Sequence, residues 1–235
     1  MQFFWEGISG AFSLLLSGDP SVLQAGWRSL SISCVSVLIA SFVAIPFGVW
    51  LAQARFVGRR VVVVLCRAAM SLPTVLIGLL CYGLFTRRGP LADLNLLYTK
   101  TAIIVGELLL AFPIVVTWTH GAVRSLDYRV IETAKTLGAG RLRQLITCLS
   151  EARFAVVLAV LTAFARCITE LGIALMVGGN IEGQTRTLTT ATALETSRGE
   201  FERGVAMSLI LLLIAMTVTA LIALLQYRLE GDNRD

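Results

Sequence analysis

"ETAKTLGAGRLRQLI", residues 132–146, is a polar, basic stretch set between two long apolar runs, and its reading decides how the chain is laid out. From Arg129 to Leu149 the apolar residues Ile131, Ala134, Leu142, Leu145 and Leu149 recur on one helical face, while Glu132, Lys135, Arg141, Arg143 and Gln144 are polar. Gly138 and Gly140 interrupt the pattern, and glycine tolerates positive φ at a helix end. The spacing therefore predicts two short amphipathic helices joined by a tight turn. A basic amphipathic helix resting on anionic lipid fits the same charge pattern.

The flanking sequence sets the solvent. Of 235 residues, 56% are hydrophobic and only 15% charged, with a mean hydropathy of +0.80, which argues against a water-soluble domain. A bilayer asks for about 20 mostly apolar residues per helical span. Five runs qualify, at roughly 27–52, 61–85, 101–120, 154–178 and 205–227, so an all-α integral membrane protein with five transmembrane helices is expected. With no Pro/Ser-rich linker, charge block or internal repeat, residues 1–235 read as a single transmembrane domain. Four of the five cysteines sit in apolar runs as small hydrophobes, so neither a disulfide nor a metal site is expected. No positive residue lies in Met1–Phe4 and Glu6 follows, so no cleavable leader is expected.

Cytoplasmic loops retain Lys and Arg during insertion. The stretch 121–153 holds six of them (Arg124, Arg129, Lys135, Arg141, Arg143, Arg153), which puts residues 129–149 inside the cell. Threading from that anchor places the N-terminus outside, loop 53–60 inside, loops 86–100 and 179–204 outside, and the tail 228–235 inside. The inner segments then carry 11 positive residues against 7 outside, for net charges of +5 and zero. Residues 2–18 are too short to cross; their apolar residues recur at helical spacing beside an aromatic cluster, which predicts a helix on the outer surface or a tail packed on a neighbouring span.

Glu132-Thr133-Ala134, three residues, then Gly138 resembles the cytoplasmic loop of permease subunits from ATP-binding-cassette importers, patterned Glu-Ala-Ala, three residues, Gly. In that family the loop forms a coupling helix that docks in a groove of the ATPase subunit. The resemblance implies coupling roles for Glu132, Thr133, Ala134, Gly138, Ala139 and Arg141. One departure is plain: the family often continues Ile-x-Leu-Pro, whereas Cys148-Leu149-Ser150-Glu151 here has no proline. Independently, "ITELGIALMVGGNIEGQTRTLTTATALETSRGEF", Ile168 to Phe201, resembles the end of the fourth span and outer loop of oxyanion importer permeases for molybdate, tungstate and sulfate. Its Met-Val-Gly-Gly-Asn, Thr-Arg-Thr-Leu-Thr-Thr-Ala and Ala-Leu-Glu-Thr-Ser are most similar to the tungstate form.

Charges within the spans must pair or face water, since each costs about 2.5–3.5 kcal/mol at the centre of a helix in the bilayer. Arg166 and Glu170, four apart, share a helical face and either gate the anion path or bridge statically; Arg67 and Glu107, on adjacent spans, are expected as a static intramembrane pair. A divalent anion passes most readily over weak neutral donors. That points to Asn180, Thr185, Thr187, Thr189 and Thr190 as path-lining candidates, with Arg186 attracting the anion at the outer mouth; the plain alternative is an exposed loop ending the fourth span. Pro46, Pro73 and Pro113 predict kinks.

No catalytic centre and no phosphate-binding Gly-x-x-x-x-Gly-Lys loop is written in the chain, so ATP and Mg are expected on a separate ATPase. The resemblance implies a homodimer in the cytoplasmic (inner) membrane, embedded in lipid, with two ATPase subunits below and an external substrate-binding protein above, and no nucleic-acid partner. The function it implies is import of an oxyanion, tungstate foremost, by alternating access, with molybdate or sulfate as alternatives. A gradient-driven secondary transporter or channel is the competing class; five spans do not divide into paired repeats, which disfavours it.

Overall fold

A computed structural model of the chain describes residues 8–10, 12–13 and 16–232, and every regular element among them is helical. In chain order these are α1 (Pro20–Gln53), α2 (Arg59–Ala69), α3 (Thr74–Phe85), a 3-10 turn at Ala92–Leu94, α4 (Lys100–Ser125), α5 (Tyr128–Thr136), α6 (Arg141–Glu151), α7 (Arg153–Ile168), α8 (Gly172–Gly178), α9 (Leu188–Arg198) and α10 (Phe201–Asp232). Of the expected surface helix at 2–18, the described residues 8–10, 12–13 and 16–17 are helical, Gly18 turns at φ 66°, and the others lie outside the described residues.

Three helices are long and apolar enough to span a bilayer unaided: α1, α4 and the Phe201–Leu224 part of α10. Two bent pairs reach that length and apolarity only when taken together, α2 with α3 at 99° and the Leu142–Glu151 stretch with α7 at 76°, which allows up to five spans. The fourth of these differs from the expected run at 154–178, which covers α7 and α8 and leaves out α6. Two expected runs are thus broken where the apolar pattern is continuous. Run 61–85 stops at Pro73, which has no N–H to donate and pushes the residue before it out of helical geometry. The preceding turn tightens through bonds from Met70 N to Arg67 O, Ser71 N to Ala68 O and Leu72 N to Ala69 O. Run 154–178 divides at Thr169–Leu171 into α7 and α8. Pro46 and Pro113, in contrast, lie inside helices that continue through them.

The start of α1 is written in Gly18-Asp19-Pro20. Asp19 Oδ1 accepts from Ser21 N (2.8 Å) and Ser21 Oγ (2.6 Å), and Pro20 fits a first helical position whose N–H would have no partner.

The chain forms two compact units, each drawn from several segments. Unit 1 comprises Met1–Ser36, Pro73–Glu107 and Ala165–Thr219; unit 2 comprises Val37–Leu72, Leu108–Phe164 and Ala220–Asp235. Their charge differs sharply: unit 1 has eight Lys/Arg against nine Asp/Glu, unit 2 twelve against six. In unit 1, Val22 and Ala25 of α1, Leu188 and Ala191 of α9 and Met207 of α10 make one buried cluster. Helix α8 packs on α3 and α4 through small residues: a Cβ on Gly78 would stand 3.0 Å from Met176, and one on Gly178 2.7 Å from Ile103. In unit 2 the buried cluster is Val49, Ala52, Val123, Cys148, Ala152 and Val156, with Leu145 and Leu149 packed against it.

Candidate functional site

In unit 1 the break after α7 is organised by Glu170, which is 3% exposed. Its Oε2 accepts from Arg166 Nη1 at 2.8 Å and its Oε1 from Ile173 N at 3.2 Å, so one carboxylate closes the end of α7 and the start of α8. A carboxylate just ahead of that first turn also suits the positive end of α8. The Arg166–Glu170 pair therefore spans the break rather than lying along a continuous helix.

The loop that follows turns back through Gly179 (φ 68°) and Asn180 (φ 51°). Gly179 has no room for a side chain, since a Cβ would stand 2.6 Å from the Tyr98 ring, and Tyr98 N donates to Val177 O at 2.8 Å. Thr185, Thr187, Thr189 and Thr190 are all buried, and their hydroxyls bond within the protein. Thr185 Oγ1 donates to Gly178 O and accepts from Ile181 N. Thr187 and Thr190 form a reciprocal capping box at the start of α9. Thr189 Oγ1 donates to Glu170 O at 2.8 Å.

Helix α9 is also tied to α1: Leu188 N donates to Ser29 Oγ at 2.8 Å, and Arg28 Nε to Arg186 O at 2.9 Å. Arg28 and Ser29, given no site role by the sequence, are thereby part of this site. Only their i to i+1 adjacency near the start of an apolar run could have hinted at it. A cavity of about 370 Å³ opens here, lined by Arg28, Glu182, Arg186, Glu195, Arg198 and Arg203 among others. Arg186 Nη1 lies 3.3 Å from Glu182, and the buried Arg186 Nε and Asn180 Oδ1 have no partner. The cavity is thus polar and of mixed sign, and one of its lining residues, Arg186, has a buried nitrogen without a partner.

Arg67 and Glu107 belong to different units. Glu107 is buried and accepts from Ser33 Oγ at 3.4 Å, whereas Arg67 is exposed and lines a basic cleft with Arg59, Arg60 and Arg124. The described residues form three salt bridges, Arg166–Glu170, Arg186–Glu182 and Arg198–Glu195, and the expected Arg67–Glu107 pair is not among them. The right-angle bend at Pro73 gives α2 a course of its own, which sequence adjacency of spans did not reveal.

In unit 2, residues 129–149 fold as α5 and α6 joined at Gly138 (φ 74°). Asp127 Oδ1 accepts from Arg129 N at the start of α5. At its end Ala139 N reaches back to Ala134 O at 2.9 Å, the long bond of a glycine-terminated helix, and Leu137 N bonds Thr133 O at 3.0 Å. Gln144 Nε2 then donates to Ala139 O at 2.7 Å, bracing the turn from α6. Ala134 is buried; Glu132, Thr133 and Gly138 are exposed, and the side chain of Arg141 lies outside the described residues. Leu145 and Leu149 face the core as expected, but Leu142 does not: it is 72% exposed in the first turn of α6, together with Leu137 and Ile146. Leu142 lies beyond the packed body, which begins at Leu145. Residues 137–146 therefore present three bare apolar side chains.

Among the described residues no three or more His, Cys, Asp or Glu side chains are arranged to hold a metal ion. The family of binding-protein-dependent transport system inner membrane components matches residues 44–234. The chain is 36% identical to the tungstate uptake system permease protein TupB of Peptoclostridium acidaminophilum, across 96% of this chain and 99% of that protein. It is 36% identical to the TupB of Campylobacter jejuni, across 92% and 90%, and 28% identical to the molybdenum transport system permease protein ModB of Escherichia coli K12, across 77% and 83%. Among solved structures, the MetNI methionine ABC transporter in inward-facing conformations matches with a TM-score of 0.65 and 21% identity, covering 92% of this chain and 97% of the matched one, which establishes a shared fold. A bent-span, all-helical membrane chain with this sequence kinship is a permease subunit, and it belongs to the family of inner membrane components of binding-protein-dependent transport systems.

Proposed function

We propose that the chain is the membrane subunit of an ATP-driven importer for an oxyanion, tungstate foremost, working as a homodimer with two ATPase subunits and an external binding protein. The observation that carries this reading is 36% identity, over more than nine-tenths of the chain, with two tungstate uptake permeases, against 28% with a molybdenum permease.

The charge pattern supports an orientation with the N-terminus outside and the C-terminus inside. All the loops assigned to the cytoplasm fall in the strongly basic unit 2, and those assigned outside fall in unit 1, whose charges nearly cancel. The exposed Leu137, Leu142 and Ile146 suit a groove on a soluble partner, and an apolar anchor rimmed by charge is what such contacts use. Force from ATP-driven closure of the ATPases enters there.

At the other site the buried threonines act through position. Thr189 holds the backbone of Glu170, Thr187 and Thr190 hold α9, and Thr185 holds the loop bearing Asn180 and Arg186. Arg186 offers the anion a positive group partly balanced by Glu182, weak enough to release it. Arg166 is 41% exposed and Glu170 2%, so this pair is a latch with one open side and serves as the gate.

The test is reconstitution in proteoliposomes with the cognate ATPase and binding protein, scoring ATP hydrolysis and uptake with tungstate, molybdate and sulfate. Stimulation by tungstate at the lowest concentration supports the reading. Stimulation by amino acids or sugars and by none of these anions would reject the oxyanion assignment and leave the permease assignment standing.

A further inference from the structure

We propose that unit 2 carries a binding site for an anionic phospholipid, with the phosphate among Arg60, Arg67 and Arg124 and an acyl chain along the groove beside Trp118. The head end is a cleft of about 660 Å³ lined by Arg59, Arg60, Arg67, Arg124, His120 and valines of α2, with no acidic residue in its wall. None of these arginines takes part in a salt bridge among the described residues.

Arg59 is the fixed member. Its Nε donates to Leu51 O at 2.7 Å and its Nη2 to Ala52 O at 3.2 Å, near the end of α1, and Nη2 lies 3.1 Å from His120 Nε2. A guanidinium only donates, so His120 Nε2 accepts and the ring proton sits on Nδ1, which is buried without a partner. His120 is therefore a neutral prop that holds Arg59. Arg60, Arg67 and Arg124 are exposed and free to close on an anion. Like charges gathered in one cleft repel, and a phosphate relieves that repulsion with paired hydrogen bonds.

The tail end is a second cavity of about 460 Å³ that shares Arg67 and Gly121 with the first. Met70, Trp118, Ala155, Leu158 and Ile222 make its wall mostly apolar, and Trp118 is 53% exposed. Tryptophan favours the headgroup level, and basic pockets between membrane helices take anionic headgroups. A small free oxyanion would occupy part of the cleft and leave the groove bare; a phospholipid reaches into both. The inference rests on the membrane character of the chain and is independent of the anion it transports.

The full-length chain, purified in mild detergent and examined by native mass spectrometry after exchange into mixed phosphatidylglycerol and phosphatidylcholine, provides the test. The wild type should retain phosphatidylglycerol over phosphatidylcholine. The Arg60→Gln/Arg67→Gln/Arg124→Gln variant should lose that preference by at least about tenfold, since each basic residue near an anionic surface contributes about fivefold. Arg124→Gln alone should show an intermediate loss, which guards against misfolding of the triple variant. Trp118→Ala should reduce retention of both lipids and keep the headgroup preference. Equal retention of the two lipids by the wild type, or equal preference in wild type and triple variant, would overturn the site. Saturable binding of tungstate or inorganic phosphate at these arginines, with no lipid preference, would overturn the lipid and give the cleft to a free oxyanion.

Discussion

The loop Gly179–Thr190 in unit 1 and the turn Glu132–Ile146 in unit 2 treat polarity in opposite ways. In the first, four threonines are buried with their hydroxyls bonded inside the protein, Thr189 to the backbone of the buried Glu170. In the second, three large apolar side chains stand in the open. The bonded threonine hydroxyls fix the geometry of the groups they join, because rearranging them leaves a donor or acceptor without a partner, although Asn180 Oδ1 and Arg186 Nε in the same loop have none. One region is thus shaped from within, and the other leaves apolar side chains uncovered.

Substitutions that probe the two regions can be ranked by their effect on stability. Glu170→Ala should be the most damaging: it unpairs Arg166 and removes the acceptor for Ile173 N. Breaking a buried pair costs 3–5 kcal/mol in general, and the open side of Arg166 reduces this to about 2–3 kcal/mol. Thermal unfolding in detergent reads the loss, and uptake should fall at least about tenfold; a variant as stable as the wild type would deny that the network holds the break. Gly138→Val comes next, at about 1–2 kcal/mol for a left-handed backbone. Its distinguishing feature is functional. ATP hydrolysis should become independent of transport while the protein still inserts and folds, and normal coupled turnover would remove Gly138 from the transmission.

Thr187→Val takes away half of a capping box and should cost about 1 kcal/mol, read as a lowered unfolding midpoint with uptake only modestly reduced. Asp19→Asn should be the mildest. The Ser21 hydroxyl and N–H hold the Asp19 carboxyl below the ordinary carboxylate range. That contribution is complete above the ordinary range and fades as pH falls through the lowered value, so it appears only as a pH slope. Unfolding midpoints measured across the acid range should decline less steeply in the variant, and parallel curves would show that the cap is silent.

What sequence reveals and conceals follows the same division. The five apolar runs, the all-helical class and the glycine-centred turn were legible because each is a local pattern: period, length or a required φ. The breaks at Pro73 and at Thr169–Leu171 interrupt runs whose apolar composition does not change across the bend. Proline marked the first but equally marked Pro46 and Pro113, where the helix continues. The Arg166–Glu170 pairing was visible from spacing alone, whereas Arg67 and Glu107 looked like partners only because their spans are consecutive. Leu142 fitted the apolar face by period and is nevertheless exposed, since a helical face is buried only as far as a neighbour extends. The ties from Ser29 and Arg28 to α9 join residues more than 150 positions apart, and no local pattern encodes such a meeting.

In the proposed function, force enters the membrane through the turn at Glu132–Ile146. A single cysteine introduced by Leu142→Cys, in a background where the native cysteines are replaced, tests it directly in the assembled complex. This thiol should crosslink to the nucleotide-binding chain, the yield should change between ATP-bound and ATP-free states, and an impermeant maleimide should reach it only from the cytoplasmic side. A thiol labelled from outside the cell, or one that never meets a nucleotide-binding chain in any state, would contradict it.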